Sequence, residues 1–189
     1  MRHKYETSGI VLARTPLGEA NTLVTLLTPT VGVVRARAQA LRKPGAKLAA
    51  ALVTFAESDL VLVRGKDGWR IAGAVLKENW FSQMPREDAR ARAARVSGLL
   101  VRLAPEEDQN TTLYSLVRSY FEASSTVPCE LLDEAEIVAA LGILAALGLD
   151  AGALPTTDNV FTAESLRALE PLRAEHIERI NHGIAASGL

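Results

Sequence analysis

Apolar positions recur every second residue over the first 77 residues and every third or fourth from residue 86 onward, so the chain reads as strands followed by helices. Five extended segments are predicted in the first part, at residues 8–14, 22–28, 32–40, 55–64 and 69–76. Pro16, Leu17 and Gly18 mark the first turn, and the run from Thr28 through Pro29 to Gly32 marks the second. A longer connection, residues 41–51, precedes the fourth segment, and Arg64, Gly65, Lys66, Asp67 and Gly68 form the hairpin before Trp69 opens the fifth. Five short strands, with the long connection between the third and fourth, fit a Greek-key barrel of the OB type. The strand count suits an SH3-like barrel as well.

The third strand has the alternation that a barrel with one wet face requires. Val34, Ala36, Ala38 and Ala40 share one side, and Arg35, Arg37 and Gln39 share the other. Two arginines on one face are rarely buried without partners, so this face is predicted to look outward.

The second part coils. Residues 86–103 place Ala89, Ala93, Val96, Leu99, Leu100 and Leu103 at helical spacing, with Arg86, Arg90, Arg92 and Arg95 on the remaining arc and Pro105 beyond the end. A second helix is predicted over 112–123, with Leu113, Leu116, Val117, Tyr120 and Phe121 inward. Residues 130–147 begin amphipathic and become apolar all round, as the central helix of a bundle does, and Gly148 is a natural stop. After a Gly/Pro/Thr-rich stretch at 150–159, helices are expected over 162–169, capped by Thr162, and over 172–186, carrying Ile177, Ile180 and Ile184. The chain is therefore predicted as α+β, a barrel over residues 1–80 and an all-α domain over 81–189. No internal repeat or low-complexity tract interrupts it.

Charge sharpens this division. Residues 1–77 hold 12 Lys and Arg against 5 Asp and Glu, whereas residues 78–189 hold 9 against 17, so a total net charge of −1 conceals a basic half and an acidic half. Such asymmetry points to a polyanion as partner of the basic part. The longest apolar region, residues 137–149, is shorter than the roughly 20 residues needed to span a bilayer, and no membrane association is expected. The polar start, Met1-Arg2-His3-Lys4, does not read as a secretory signal, and a single cysteine, Cys129, cannot form an intramolecular disulfide; a cytoplasmic protein is expected.

Catalytic and cofactor signatures are not found. One cysteine and the scattered His3, His176 and His182 do not supply a zinc ligand set, and the two later histidines are read as surface residues. The sequence Gly65-Lys66-Asp67-Gly68 matches no phosphate-binding loop and is explained by a hairpin turn. Cys129 has no basic neighbour to activate it. The carboxylates of Glu106, Glu107 and Asp108, and of Asp133, Glu134 and Glu136, fall between helices or in a first helical turn, where solvation or the helix dipole accounts for them. No enzyme, metal or cofactor is predicted.

The positive signal is the clustering of cations on the barrel. Arg42, Lys43 and Lys47 lie on the loop after the strand that carries Arg35 and Arg37, and Arg64, Lys66 and Arg70 flank the last hairpin. Together these eight residues are the candidate surface for a nucleic-acid backbone, with strongly salt-dependent binding. Aromatic platforms are few: Tyr5, Phe55 and Trp69, of which Phe55 suits the core better.

The order of these features resembles one family. The Gly9-Ile10-Val11-Leu12 start, the Gly18-Glu19-Ala20-Asn21 turn before LVTLLT, the Gly32-led strand, the basic loop before KLAAAL, and LVRGK followed by Trp69 are similar to the opening domain of RecO, a family of bacterial recombination mediators. The resemblance covers about the first 80 residues, and the helical part follows the family loosely. It implies an OB-fold domain followed by a helical one, no turnover, binding to single- and double-stranded DNA, annealing of complementary strands, and work with RecR and single-strand-binding protein in loading RecA. Many relatives insert a four-cysteine zinc finger after the Leu-Gly helix end. Residues 150–161 contain no cysteine, so no finger is expected here. The rival expectation is a non-enzymatic adaptor whose basic barrel face meets an acidic protein partner.

Overall fold

The computed structural model describes residues 3–19, 21–39, 48–84, 86–152 and 160–188. Its contacts divide the chain into two compact units, one comprising Met1–Gln83 with Pro105–Tyr114 and the other Met84–Ala104 with Ser115–Leu189.

The first unit is a closed five-stranded barrel with strand order β1-β2-β3-β5-β4. Its strands are β1 (His3–Leu17), β2 (Asn21–Thr28), β3 (Gly32–Ala38), β4 (Ala56–Gly65) and β5 (Gly68–Asn79). Every pairing is antiparallel except β3 with β5, the short parallel seam that closes the barrel. This is the OB arrangement, and the SH3-like alternative falls away. The first strand is twice as long as the residue 8–14 segment predicted from the sequence. It pairs with β4 from His3 to Ile10 and with β2 from Ile10 to Leu17, and a register shift between Val11 and Ala13 lets it serve both neighbours.

Alternation places Val24, Leu26, Val34, Ala36, Leu60, Leu62, Trp69 and Ile71 inside, and Leu52, on a short 3₁₀ turn at Ala50–Leu52, joins the same core. Truncating one of the fully buried leucines, Leu62 for example, is expected to cost about 2–5 kcal/mol, because the walls of a closed barrel cannot collapse onto the void. A four-residue helix not foreseen from the sequence, α1 (Trp80–Gln83), follows β5; the Asn79 side chain accepts a hydrogen bond from the Ser82 N–H at 3.2 Å.

The second unit is helical: α2 (Glu87–Leu103), most of α3 (Thr111–Thr126), α4 (Leu132–Ala146), α5 (Ala163–Arg167) and α6 (Arg173–Ala186). The helix α4 is buried on nearly every side from Leu132 to Leu144, as its apolar composition requires, and it ends where Gly148 takes a left-handed φ of +72°. Thr162 caps α5 by accepting from the Ser165 N–H.

Two expectations for this unit are corrected. Asp133, Glu134 and Glu136 do not serve only the helix dipole or solvent. Arg92 donates to Asp133 at 2.5 Å, Arg95 grips both oxygens of Glu136, and Arg173 binds Glu134, so the acidic side of α4 is ion-paired to α2 and α6. His176, read as a surface residue, is buried: α6 turns the arc of His176 and Gly183 inward and leaves Ile177 44% exposed. The isoleucine spacing alone indicated the neighbouring arc. No described helix is long and apolar enough to cross a membrane.

Candidate nucleic-acid interface

The site grows from strand alternation at the seam that closes the barrel. On β3, Val34, Ala36 and Ala38 are buried while Arg35, Arg37 and Gln39 are exposed, as the period-two pattern demands. On β5, Trp69 and Ile71 point inward, so Arg70 between them points out. The parallel register pairs Ala36 with Trp69 and Arg37 with Arg70, which sets two arginines at neighbouring positions on the same outer face. Like charges in register repel, and neither arginine has an ion-pair partner among the described residues. An anion lying across the seam would relieve that repulsion.

The surroundings suit an anion of some length. Arg37 and Arg70 line a groove of about 600 Å³ that also takes in Lys66 from the β4–β5 turn, Gln39 beyond the end of β3, and Asn21 at the start of β2. Among the described residues that line it, Asp67 is the single carboxylate. These are the two loops and the strand face with which OB folds hold oligonucleotides and oligosaccharides.

Arg35 and Arg64 are placed differently. After α2 the chain returns to the barrel: Glu106 makes a parallel bridge to Val33, and the Glu107 N–H donates to the Val33 carbonyl at 2.9 Å. The return depends on Gly32, whose φ is +76°, and a Cβ there would lie 1.9 Å from the Asp108 carbonyl oxygen. Glu107 itself adopts a φ of +62°. This backbone sets the Glu106 carboxylate 2.9 Å from Arg35 Nε and the Glu107 carboxylate 2.5 Å from Arg64 Nη1. Arg64 is paired in register with Trp69 and stands over its ring at 5.1 Å, so it lies on the side of the strands opposite to Arg70.

The structure thus brings Arg37, Lys66 and Arg70 together and gives Arg35 and Arg64 carboxylate partners. Arg42, Lys43 and Lys47 lie outside the described residues. Of the aromatic candidates, Trp69 is buried at 6% exposure and Phe55 at 4%, and Tyr5, 39% exposed, meets the Trp69 ring edge-on at 5.0 Å. Tyr5 alone of the three offers a face to solvent.

Sequence reasoning missed Glu106 and Glu107 as members of this surface and left Asn21 unassigned. A signal for Asn21 was present, since it ends the turn adjoining an OB binding face. For the glutamates there was none, because their partners stand more than 40 residues away in sequence. Among the described residues, no group of three or more His, Cys, Asp or Glu side chains is arranged to hold a metal ion.

The family model described as Recombination protein O N terminal matches residues 1–79. A DNA repair protein RecO of Dehalococcoides mccartyi is 30% identical over 130 residues, 68% of this chain and 51% of the relative. A DNA repair protein RecO of Gloeobacter violaceus is 32% identical over 126 residues, 66% of this chain and 48% of the relative, and one from Acaryochloris marina is 41% identical over 80 residues, 42% and 27%. The chain spans about half the length of the curated relatives it matches over the longer stretches.

Proposed function

The chain belongs to the RecO family, and we propose that it is a DNA-binding recombination mediator in DNA repair, which holds single-stranded DNA across the β3–β5 seam and anneals it. The carrying observation is the in-register pair Arg37 and Arg70 on the outer surface, without ion-pair partners among the described residues and beside Lys66 in a groove on the OB binding face. Recognition in this mode runs through the phosphate backbone and tolerates any sequence, because the groove offers cations and side-chain amides but few exposed rings. Double-stranded DNA is a second substrate in the same mode.

The proposal is one of binding without turnover. Loading of RecA together with RecR, and contact with single-strand-binding protein, extend it to partners suggested by the family. A cytoplasmic location follows from the same role.

The test is fluorescence anisotropy of a labelled, mixed-sequence single strand at several salt concentrations. Affinity should fall with a log–log slope of about −0.7 for each phosphate contact. Absence of binding at low salt would overturn the reading. A second reading, an adaptor for an acidic protein partner, has one observation in its favour: this barrel already binds carboxylates, those of Glu106 and Glu107. It predicts no DNA binding and capture of an acidic peptide by the same arginines.

A further inference from the structure

Arg35 lies two residues from Arg37 on the same outward face of β3, and a strand of nucleic acid following β3 from the Arg37–Arg70 pair would reach it next. The structure puts Glu106 there instead. We infer that Glu106 sets the length of the phosphate track: it acts as a built-in competitor for phosphate on Arg35, and confines bound nucleic acid to Arg37, Lys66 and Arg70. The inference rests on the nucleic-acid reading of the barrel.

Its strength as a competitor comes from placement. Arg35 and Glu106 are each about half exposed, and a solvent-exposed pair of this kind is weak on its own. A free carboxylate would yield readily to a polyanion. This carboxylate is not free, because the Val33–Glu106 bridge, the Glu107 N–H to Val33 bond and the packing of the Asp108 backbone on Gly32 hold the backbone in place. When the ion pair opens, the Glu106 carboxylate stays within reach at an effective concentration on the millimolar scale. A phosphate arriving at that end of the track must displace a tethered competitor.

A merely stabilising surface salt bridge would have the same geometry but not the same consequence for binding. Removing the carboxylate by Glu106→Gln keeps side-chain shape and the backbone bridge while releasing Arg35 to the track. The expected result for single-strand binding is a log–log salt slope steeper by about 0.7, for one added contact, and an affinity at 0.1 M salt up to about fivefold higher. Arg35→Ala alone should leave affinity within about twofold of the parent, and in the Glu106→Gln background it should cost about fivefold, one contact's worth at that salt.

Unchanged affinity and slope in the Glu106→Gln variant, with Arg37→Ala/Arg70→Ala still weakening binding, would overturn the inference and leave the nucleic-acid reading standing. Absence of salt-dependent binding by both the parent and the glutamine variant would overturn both. Circular dichroism and melting check the fold of each variant. Should the glutamine variant melt early, Arg35→Ala in the otherwise unchanged protein decides, because a loss of about fivefold there means that Arg35 already contacts phosphate and the inference fails.

Discussion

The barrel unit and the helical unit both carry many arginines, and they use them in opposite ways. In the helical unit, Arg92, Arg95, Arg173 and Arg179 each face a carboxylate within the same unit: Asp133, Glu136, Glu134 and Asp150. In the barrel unit, Arg35 and Arg64 have carboxylate partners, but Arg37 and Arg70 stand in register with no ion-pair partner among the described residues. A count of basic residues therefore says little about where a polyanion binds. What decides is whether the topology has already set a carboxylate opposite each cation, and the β3–β5 seam joins two strands that each point an arginine outward.

The largest effect that would test this contrast is on the stability of the helical unit. Glu134 is 1% exposed, so Arg173→Ala leaves a buried carboxylate without its counter-ion and should destabilise the unit by about 3 kcal/mol. The melting temperature should fall by several degrees while DNA affinity is unchanged; a loss of affinity without a loss of stability would erase the contrast. Next comes Arg37→Ala/Arg70→Ala, expected to weaken single-strand binding roughly 25-fold at 0.1 M salt and flatten the log–log slope by about 1.4, with no comparable fall in melting temperature. Unaltered titrations would remove the seam from the site. Arg95→Ala is smaller still: its partner Glu136 is accessible, so a cost under about 1 kcal/mol is expected, and anisotropy should match the parent.

The smallest effect is one of pH. The hydrogen bond from Arg179 holds the Asp150 carboxyl below its ordinary range. Its folded pKa is therefore lower than its unfolded one, so the stabilisation is fully present above the unfolded value of about 3.9 and is lost as pH falls through the folded value. Thermal melts between pH 6 and 2 should show this as an acid-side decline that is shallower in Asp150→Asn.

Much of the barrel was legible in the sequence because period-two patterning is a local property. Val34, Ala36 and Ala38 against Arg35, Arg37 and Gln39 declared both faces of β3, whereas Trp69, a candidate stacking platform on the sequence, is buried with Ile71, which turns Arg70 outward. The ends of β1 were harder to read: the register shift near Val11 interrupts the alternation, and Tyr5, Glu6 and Thr7 look like a polar lead-in until β4 is beside them. The site was legible in part. Arg37, Lys66 and Arg70 were recognised as candidates, but their juxtaposition depends on which strands meet at the seam. The occupation of Arg35 and Arg64 depends on a segment that returns from beyond α2. His176 shows the same limit, because three isoleucines marked an arc of α6 that neighbouring helices do not fully cover.

The bridge between Val33 and Glu106 also bears on how the barrel can be handled as a separate piece. A polypeptide cut after residue 83 keeps all five strands but loses the partner of Val33 and the cover over Gly32. It would carry an open strand edge, the kind of surface along which β-proteins add to one another. The natural excision point for a monomeric barrel is therefore not the boundary between strands and helices, since residues 105–114 come after a whole helix and still belong to the barrel unit.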